Sequence, residues 1–293
     1  VVKSRYADLY YCDFGKAGDP LTLREKVRVH ELSLSFPHAG GRLRVLDRFN
    51  LTVYDGEFVS IVGPSGCGKS TLLRLVNGLI RPDAGEVFLD GRPVTGVPDN
   101  VGLVFQNDAL LPWYSVYDNI RLALVMRGVP KENQPRRIHE LIAMVGLEGF
   151  ADQLPGTLSG GMRKRVALAR ALAYDPDVFL MDEPFGPLDA QTRISVGQEF
   201  LRIWQSLGKS VLFVTHDIEE AVALSDRVVV LSPRPARVIG DFSVDLPRPR
   251  DFYEIRFEPE FQRLHREIYQ CLIQEAKAAF SPARGVAEGV HAQ

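Results

Sequence analysis

The sequence predicts an α/β fold. A phosphate-loop core is built on a mostly parallel sheet, an antiparallel β region precedes it, and a helical subdomain interrupts it. Three observations carry this. First, Gly63, Pro64, Ser65, Gly66, Cys67, Gly68, Lys69, Ser70 and Thr71 fit the pattern G-x-x-x-x-G-K-[ST], between an apolar run at 58–62 and a stretch where Leu72, Leu73, Leu75, Val76 and Leu79 recur at helical spacing. Second, continuous apolar runs end at Gly63, Gln106, Asp182 and His216, with helical stretches between them, as in a parallel sheet covered on both faces. Third, residues 115–150 show helical periodicity and no strand-like run.

Composition narrows the function classes. The chain has 293 residues, 45% hydrophobic and 25% charged, in the ordinary range for a globular protein. A formal net charge of -2 gives no reason to expect nucleic acid as a partner. Three cysteines, Cys12, Cys67 and Cys271, make neither a disulfide framework nor a metal-binding spacing, which fits a reducing compartment. No stretch approaches 18 consecutive apolar residues, so no membrane span is expected.

Taken in order, residues 1–26 lack periodicity and are expected to form an extension, partly disordered. Alternation at Leu32, Leu34 and Phe36 and again at Phe49, Leu51 and Val53 predicts two strands. Glu86–Leu89 before Asp90-Gly91 predicts a third. The phosphate loop follows the run at 58–62. A buried strand is expected at 101–105 and the helical subdomain at about 107–175. It closes with a long helix that opens at Leu158-Ser159-Gly160-Gly161. Strands at 178–181, 211–214 and 228–231 alternate with helices at 190–207 and 218–224, the strand at 228–231 being the last buried one. The main domain therefore covers 27–231. Residues 232–293 read as a proline-marked connector, an amphipathic helix carrying Phe257, Phe261, Leu264, Ile268 and Leu272, and a disordered tail from Ser281.

The chemistry starts at the loop. Gly66 and Gly68 let backbone N–H groups turn toward an anion, and the helix that follows points its positive end at it. Lys69 adds a charge for the outer phosphates, and the Ser70 hydroxyl is placed to reach Mg²⁺. Asp182 closes a buried strand, where a carboxylate can hold Mg²⁺. Glu183 beside it can polarise an attacking water, although a solvated acidic pair would show the same two residues. Ser159-Gly160-Gly161 offers a second anion-binding helix start, or a plain N-cap by Ser159. The basic run Arg163-Lys164-Arg165 is expected on an exposed helix face.

These motifs together resemble the ATP-binding subunits of ABC transporters, over residues 27–231. The resemblance implies ATP and Mg²⁺ as ligands. It makes residues 63–71 the Walker A loop and Gln106 the Q-loop residue that contacts Mg²⁺ and senses the membrane partner. Leu158–Gly161 becomes the signature motif, Ser159, Gly160 and Gly161 serving the ATP of the opposite subunit. Asp182 becomes a Mg²⁺ ligand with Ser70 and Gln106, Glu183 the catalytic carboxylate, Asp189 the D-loop residue, and His216 the switch histidine on the γ-phosphate. Phe36 stands where the family stacks an aromatic on adenine; a core or edge aromatic is the competing reading. Met162 and Pro187 depart from the general family pattern. Leu110-Leu111-Pro112-Trp113, Met162-Arg163 after the signature glycines, and Leu246-Pro247-Arg248-Pro249 are similar to the nitrate/sulfonate/taurine importer branch. The resemblance further implies a second ATP-binding subunit, in a homodimer or with a sibling chain, two transmembrane permease subunits, and a solute-binding protein. It places the chain at the cytoplasmic face of the cell membrane. The alternative, a non-transport ABC ATPase acting on DNA or ribosomes, usually brings a long coiled-coil insertion or tandem cassettes, and the sequence shows neither.

Overall fold

The computed structural model describes residues 24–38 and 40–280. The expected disorder of the N-terminal extension and of the tail from Ser281 falls on residues outside this range. The first strand begins at Glu25.

Strands β1 (Glu25–His38) and β2 (Gly41–Tyr54) form a long antiparallel hairpin. Strand β3 (Phe58–Val62) is buried throughout, and α1 (Lys69–Val76) leaves the loop that follows it. Then come β4 (Ala84–Leu89), β5 (Arg92–Pro93) and β6 (Val101–Val104). Helices α2 (Val116–Met126), α3 (Gln134–Met144) and α4 (Gly160–Ala173) pack on one another as a helical unit. The chain returns through β7 (Val178–Asp182), α5 (Ala190–Leu207), β8 (Ser210–Val214), α6 (Ile218–Leu224) and β9 (Arg227–Leu231). Strand β10 (Val238–Ser243) and helix α7 (Pro259–Phe280) complete it.

Two sheets result. The antiparallel sheet has the order β2-β1-β4-β5, and the larger sheet the order β10-β9-β3-β8-β7-β6. In the larger sheet every pair is parallel except β10 with β9. Strand β3 carries both cores because its side chains alternate between its faces. Phe58 meets Phe200, Trp204 and Phe213 edge-on or tilted, on the side of α5. Val59 and Ile61 join Leu72, Leu75, Phe49 and Leu32, between α1 and the antiparallel sheet. The register pairs Ile61 with Val214, Val62 with Val230, Met181 with Phe213 and Val104 with Met181, so the carboxyl ends of β3, β6, β7 and β8 finish at one edge. That edge is where open α/β sheets place ligands.

The structure differs from the sequence reading at three points. Strand β10 follows the last buried strand, inside the expected irregular connector. It is a half-exposed edge strand, paired on one side only, so its apolar alternation is weak. Lys164 does not lie on an exposed face. It is 5% exposed, forms an ion pair with Asp108 at 2.8 Å and donates to the Gln106 carbonyl. The amphipathic helix lies where its pattern predicts from Phe261 on, with Phe261, Leu264 and Ile268 buried against α6 and β9. Phe257, expected on its apolar face, instead ends a short 3-10 turn (Glu254–Phe257) ahead of it and is exposed, because the helix starts only at Pro259.

Candidate nucleotide site

The loop after β3 needs two glycines for conformational reasons. Gly66 has φ +74° and Gly68 φ +126°, values a side chain disfavours. A Cβ on Gly68 would also stand 2.8 Å from Val45 Cγ1. The turn puts Pro64, Ser65 and Gly66 on an exposed rim, with Cys67 and Lys69 buried beneath. Burial raises the Cys67 thiol pKa, against the opposing charge of Lys69. Lys69 Nζ donates to the Gly63 carbonyl at 2.8 Å and the Pro64 carbonyl at 3.1 Å. Ser70 and Thr71 open α1, whose first turn leaves N–H groups without helical acceptors.

Ser70 Oγ donates to Asp182 Oδ1 at 2.8 Å. Burial pushes the Asp182 carboxyl above the usual range, and the Glu183 charge adds to this against the Ser70 bond. A divalent cation would reverse such a shift, and the donor set here is all oxygen, as Mg²⁺ requires. Ser70 and Asp182 therefore fit the ion.

Glu183 is a non-glycine residue with φ +45°, a strained conformation of the kind that collects at functional sites. Its backbone N–H donates to the Val214 carbonyl at 2.8 Å and ties the end of β7 to the end of β8. Its side chain lies with Oε2 3.0 Å from His216 Nδ1, on the next strand over. Gln106 approaches the same point: a Cβ on Gly186 would stand 3.7 Å from both Gln106 Nε2 and Glu183 Oε2. Three residues separated by up to 110 positions, which is 216 minus 106, thus meet at one sheet edge. Lys164 holds the Gln106 backbone from below. The periodicity of α4 gave no sign of this role, because a basic run ordinarily faces water.

Ser159 caps α4 by accepting from the Met162 N–H at 3.2 Å. The two glycines after it pack on the start of α5: a Cβ on Gly161 would stand 2.7 Å from Thr192 Cγ2, and one on Gly160 3.4 Å from Leu188 Cδ2. Asp189 caps α5 in the same way, accepting from the Thr192 N–H at 3.0 Å, and hydrogen bonds from the Thr192 side chain and then its N–H lower its pKa. Phe36 is 41% exposed in β1, so it is not a core aromatic.

The family model for ABC transporters matches residues 46–186. An uncharacterized ABC transporter ATP-binding protein of Methanocaldococcus jannaschii is 50% identical over 253 residues, 86% of this chain and 93% of the relative. A taurine import ATP-binding protein of Burkholderia thailandensis is 41% identical over 256 residues, 86% of this chain and 98% of the relative. Among solved structures, a dimeric ATP-binding cassette in a post-hydrolysis state with ADP and phosphate superposes with a TM-score of 0.67 at 32% identity, over 75% of this chain and 100% of that one. With the phosphate loop, the half-buried Ser70–Asp182 pair and the parallel sheet already in place, these likenesses assign the chain to the ATP-binding subunits of ABC transporters, and it is an ATPase of that family.

Proposed function

We propose that the chain is the ATP-hydrolysing subunit of a membrane importer for a small anionic solute of the nitrate, sulfonate or taurine kind. The observation that carries the catalytic part is the meeting of Glu183, His216 and Gln106 beside the Ser70–Asp182 pair. Lys69 and the N–H groups of residues 65–71 hold the triphosphate. Ser70 and Asp182, with Gln106, would hold Mg²⁺, which would supply neutralisation of phosphate charge there. Glu183 accepts a proton from the attacking water, and His216, hydrogen-bonded to it, orients that carboxylate and faces the γ-phosphate. Phe36 offers an exposed ring for the adenine.

Two copies complete the site. Gly160 and Gly161 pack on Leu188, Thr192 and Val196 of their own chain, Ser159 before them is exposed, and the three serve a nucleotide held by a partner. The dimeric likeness supports this arrangement. A groove of about 380 Å³ between β6, α2 and α4 supports permease docking: Leu79, Val97, Phe105 and Met126 line it and are all exposed apolar side chains. Exposed, contiguous apolar surface marks protein contact. No helix among the described residues is long and apolar enough to cross a membrane. Two permease subunits therefore supply the spans, a solute-binding protein delivers cargo to them, and this chain sits peripherally at their cytoplasmic side.

The test is Mg²⁺-dependent ATP hydrolysis against protein concentration. Turnover should rise more than linearly with concentration. Glu183→Gln should lower it by roughly 100-fold or more, the usual contribution of a general base. Turnover by Glu183→Gln at the wild-type rate would remove Glu183 from the mechanism.

A further inference from the structure

Arg193, in the first turn of α5, is engaged on three sides. Its Nη2 donates to the Leu188 carbonyl at 3.1 Å and its backbone N–H to the Asp189 carbonyl at 2.9 Å. Its Nη1 donates to Asp217 Oδ2 at 2.9 Å. Its Nε lies 3.4 Å from Glu220 Oε1. One guanidinium thus joins the backbone on the near side of Asp189 to the residue that follows His216.

The segment around His216 is fixed by the same network. Asp217 Oδ1 caps α6, accepting from the N–H groups of Glu219 and Glu220 at 2.9 and 3.2 Å. The Asp217 N–H donates to Thr215 Oγ1 at 3.0 Å, and Thr215 Oγ1 donates to Glu220 Oε2 at 2.7 Å. Thr215 and Asp217, on either side of His216, are therefore both locked. The His216 ring between them is 54% exposed and reaches Glu183.

We propose that Arg193 is a positioning residue that ties the Leu188–Asp189 turn to the segment around His216 and so sets the geometry of the Glu183–His216 pair. The proposal rests on the catalytic roles proposed above for Glu183 and His216. The physical reason is the fork shape of the guanidinium. Its separate N–H groups reach the Leu188 carbonyl and the Asp217 carboxylate at once, which the compact ammonium of a lysine does not. A shift of the turn at residues 186–189 therefore moves Asp217, and the His216 backbone with it. An ordinary ion pair between α5 and α6 would stabilise the fold but would not change the rate of the chemical step.

The test is single-turnover ATP hydrolysis by the full chain at excess protein, with wild type, Arg193→Lys, Asp217→Asn and the double variant. ADP affinity and melting temperature are measured beside it. Arg193→Lys should slow hydrolysis by roughly tenfold or more, as small misplacements of reacting groups do. It should leave ADP affinity within about twofold, since Arg193 touches no part of the phosphate loop. The double variant should be no slower than the slower single variant, because both break one connection. A wild-type rate in Arg193→Lys would overturn the proposal, and so would a rate loss that only follows a lowered melting temperature. A wild-type chain that does not hydrolyse ATP would overturn the catalytic reading instead.

Discussion

The phosphate loop and the stretch after β9 are each built around a buried cation, and the two cations differ in what they have left to bind. Lys69 is 5% exposed and donates to two carbonyls of its own loop. An ammonium has three donors on a flexible stem, so Lys69 keeps capacity for an anion arriving at the loop. Arg250 is 3% exposed and donates to the carbonyls of Val222, Ala223, Ser225, Val244 and Leu246. Its five N–H groups are all engaged by backbone. It closes the C-terminal end of α6, where carbonyls lack helical donors and the dipole favours a cation. Burial pushes the Arg250 pKa down to about 9, and Arg248 adds to that. Neither burial nor charge alone separates a ligand-binding cation from a structural one. The number of donors already engaged does.

Removing each cation tests that distinction, and Arg250 should have the larger effect. Arg250→Met leaves five buried carbonyls without a donor. The expected loss of stability is about 3–5 kcal/mol, typical of breaking a buried charged network. Urea denaturation reads it, and ADP affinity of the folded fraction should stay at the wild-type value. Lys69→Ala should do the reverse. Its stability change should stay near 1 kcal/mol, while ATP and ADP affinity falls by roughly 100-fold, about 2.7 kcal/mol, as expected for lost charge-assisted bonds. Isothermal titration beside thermal melting reads both. Equal effects of the two variants on stability and on binding would break the distinction.

The same contrast explains what was legible in the sequence. The phosphate loop was, because it must hold glycines at fixed offsets between a buried strand and a helix, and each requirement leaves a residue-level mark. The carboxyl ends at Gln106, Asp182 and His216 were legible as the points where apolar runs stop, and a parallel sheet brings such points together. Arg250 was not. It lies among Pro247, Pro249 and Asp251, in a stretch with no period, and its partners are backbone carbonyls that any sequence supplies. Lys164 was hidden for a related reason: its partners Gln106 and Asp108 are more than 50 residues away, and a basic triplet on a helix ordinarily faces water. Edge strand β10 lacked the two-sided burial that makes an apolar run visible. Arg193 sits in a helix turn whose periodicity says nothing of a carboxylate 24 residues on. Local conformational demands write themselves into a sequence; long-range polar contacts do so only when they belong to a motif.

Glu220 sharpens the contrast from the anionic side, with a smaller effect. Its side chain is almost wholly buried and accepts from Thr215, with Arg193 at 3.4 Å as its cationic neighbour. That pairing is incomplete where Arg250's is full. Burial pushes its carboxyl up to about 7, and the bond from Thr215 and the charge of Arg193 only partly oppose this beside the like charge of Asp217. The folded state therefore binds the proton more tightly than the unfolded chain, whose carboxyl titrates near 4.5. The resulting stability is fully present below pH 4.5 and is lost as pH rises through 7. Glu220→Gln, neutral at every pH, should remove that slope. Its stability relative to wild type should rise by about 2 kcal/mol between pH 5 and pH 8, from the linkage between the two titrations. Urea denaturation at the two pH values measures it. A variant that instead becomes less stable than wild type at pH 8 would show that Arg193 fully compensates the buried carboxylate, and would place Glu220 with Arg250 as a completed pairing.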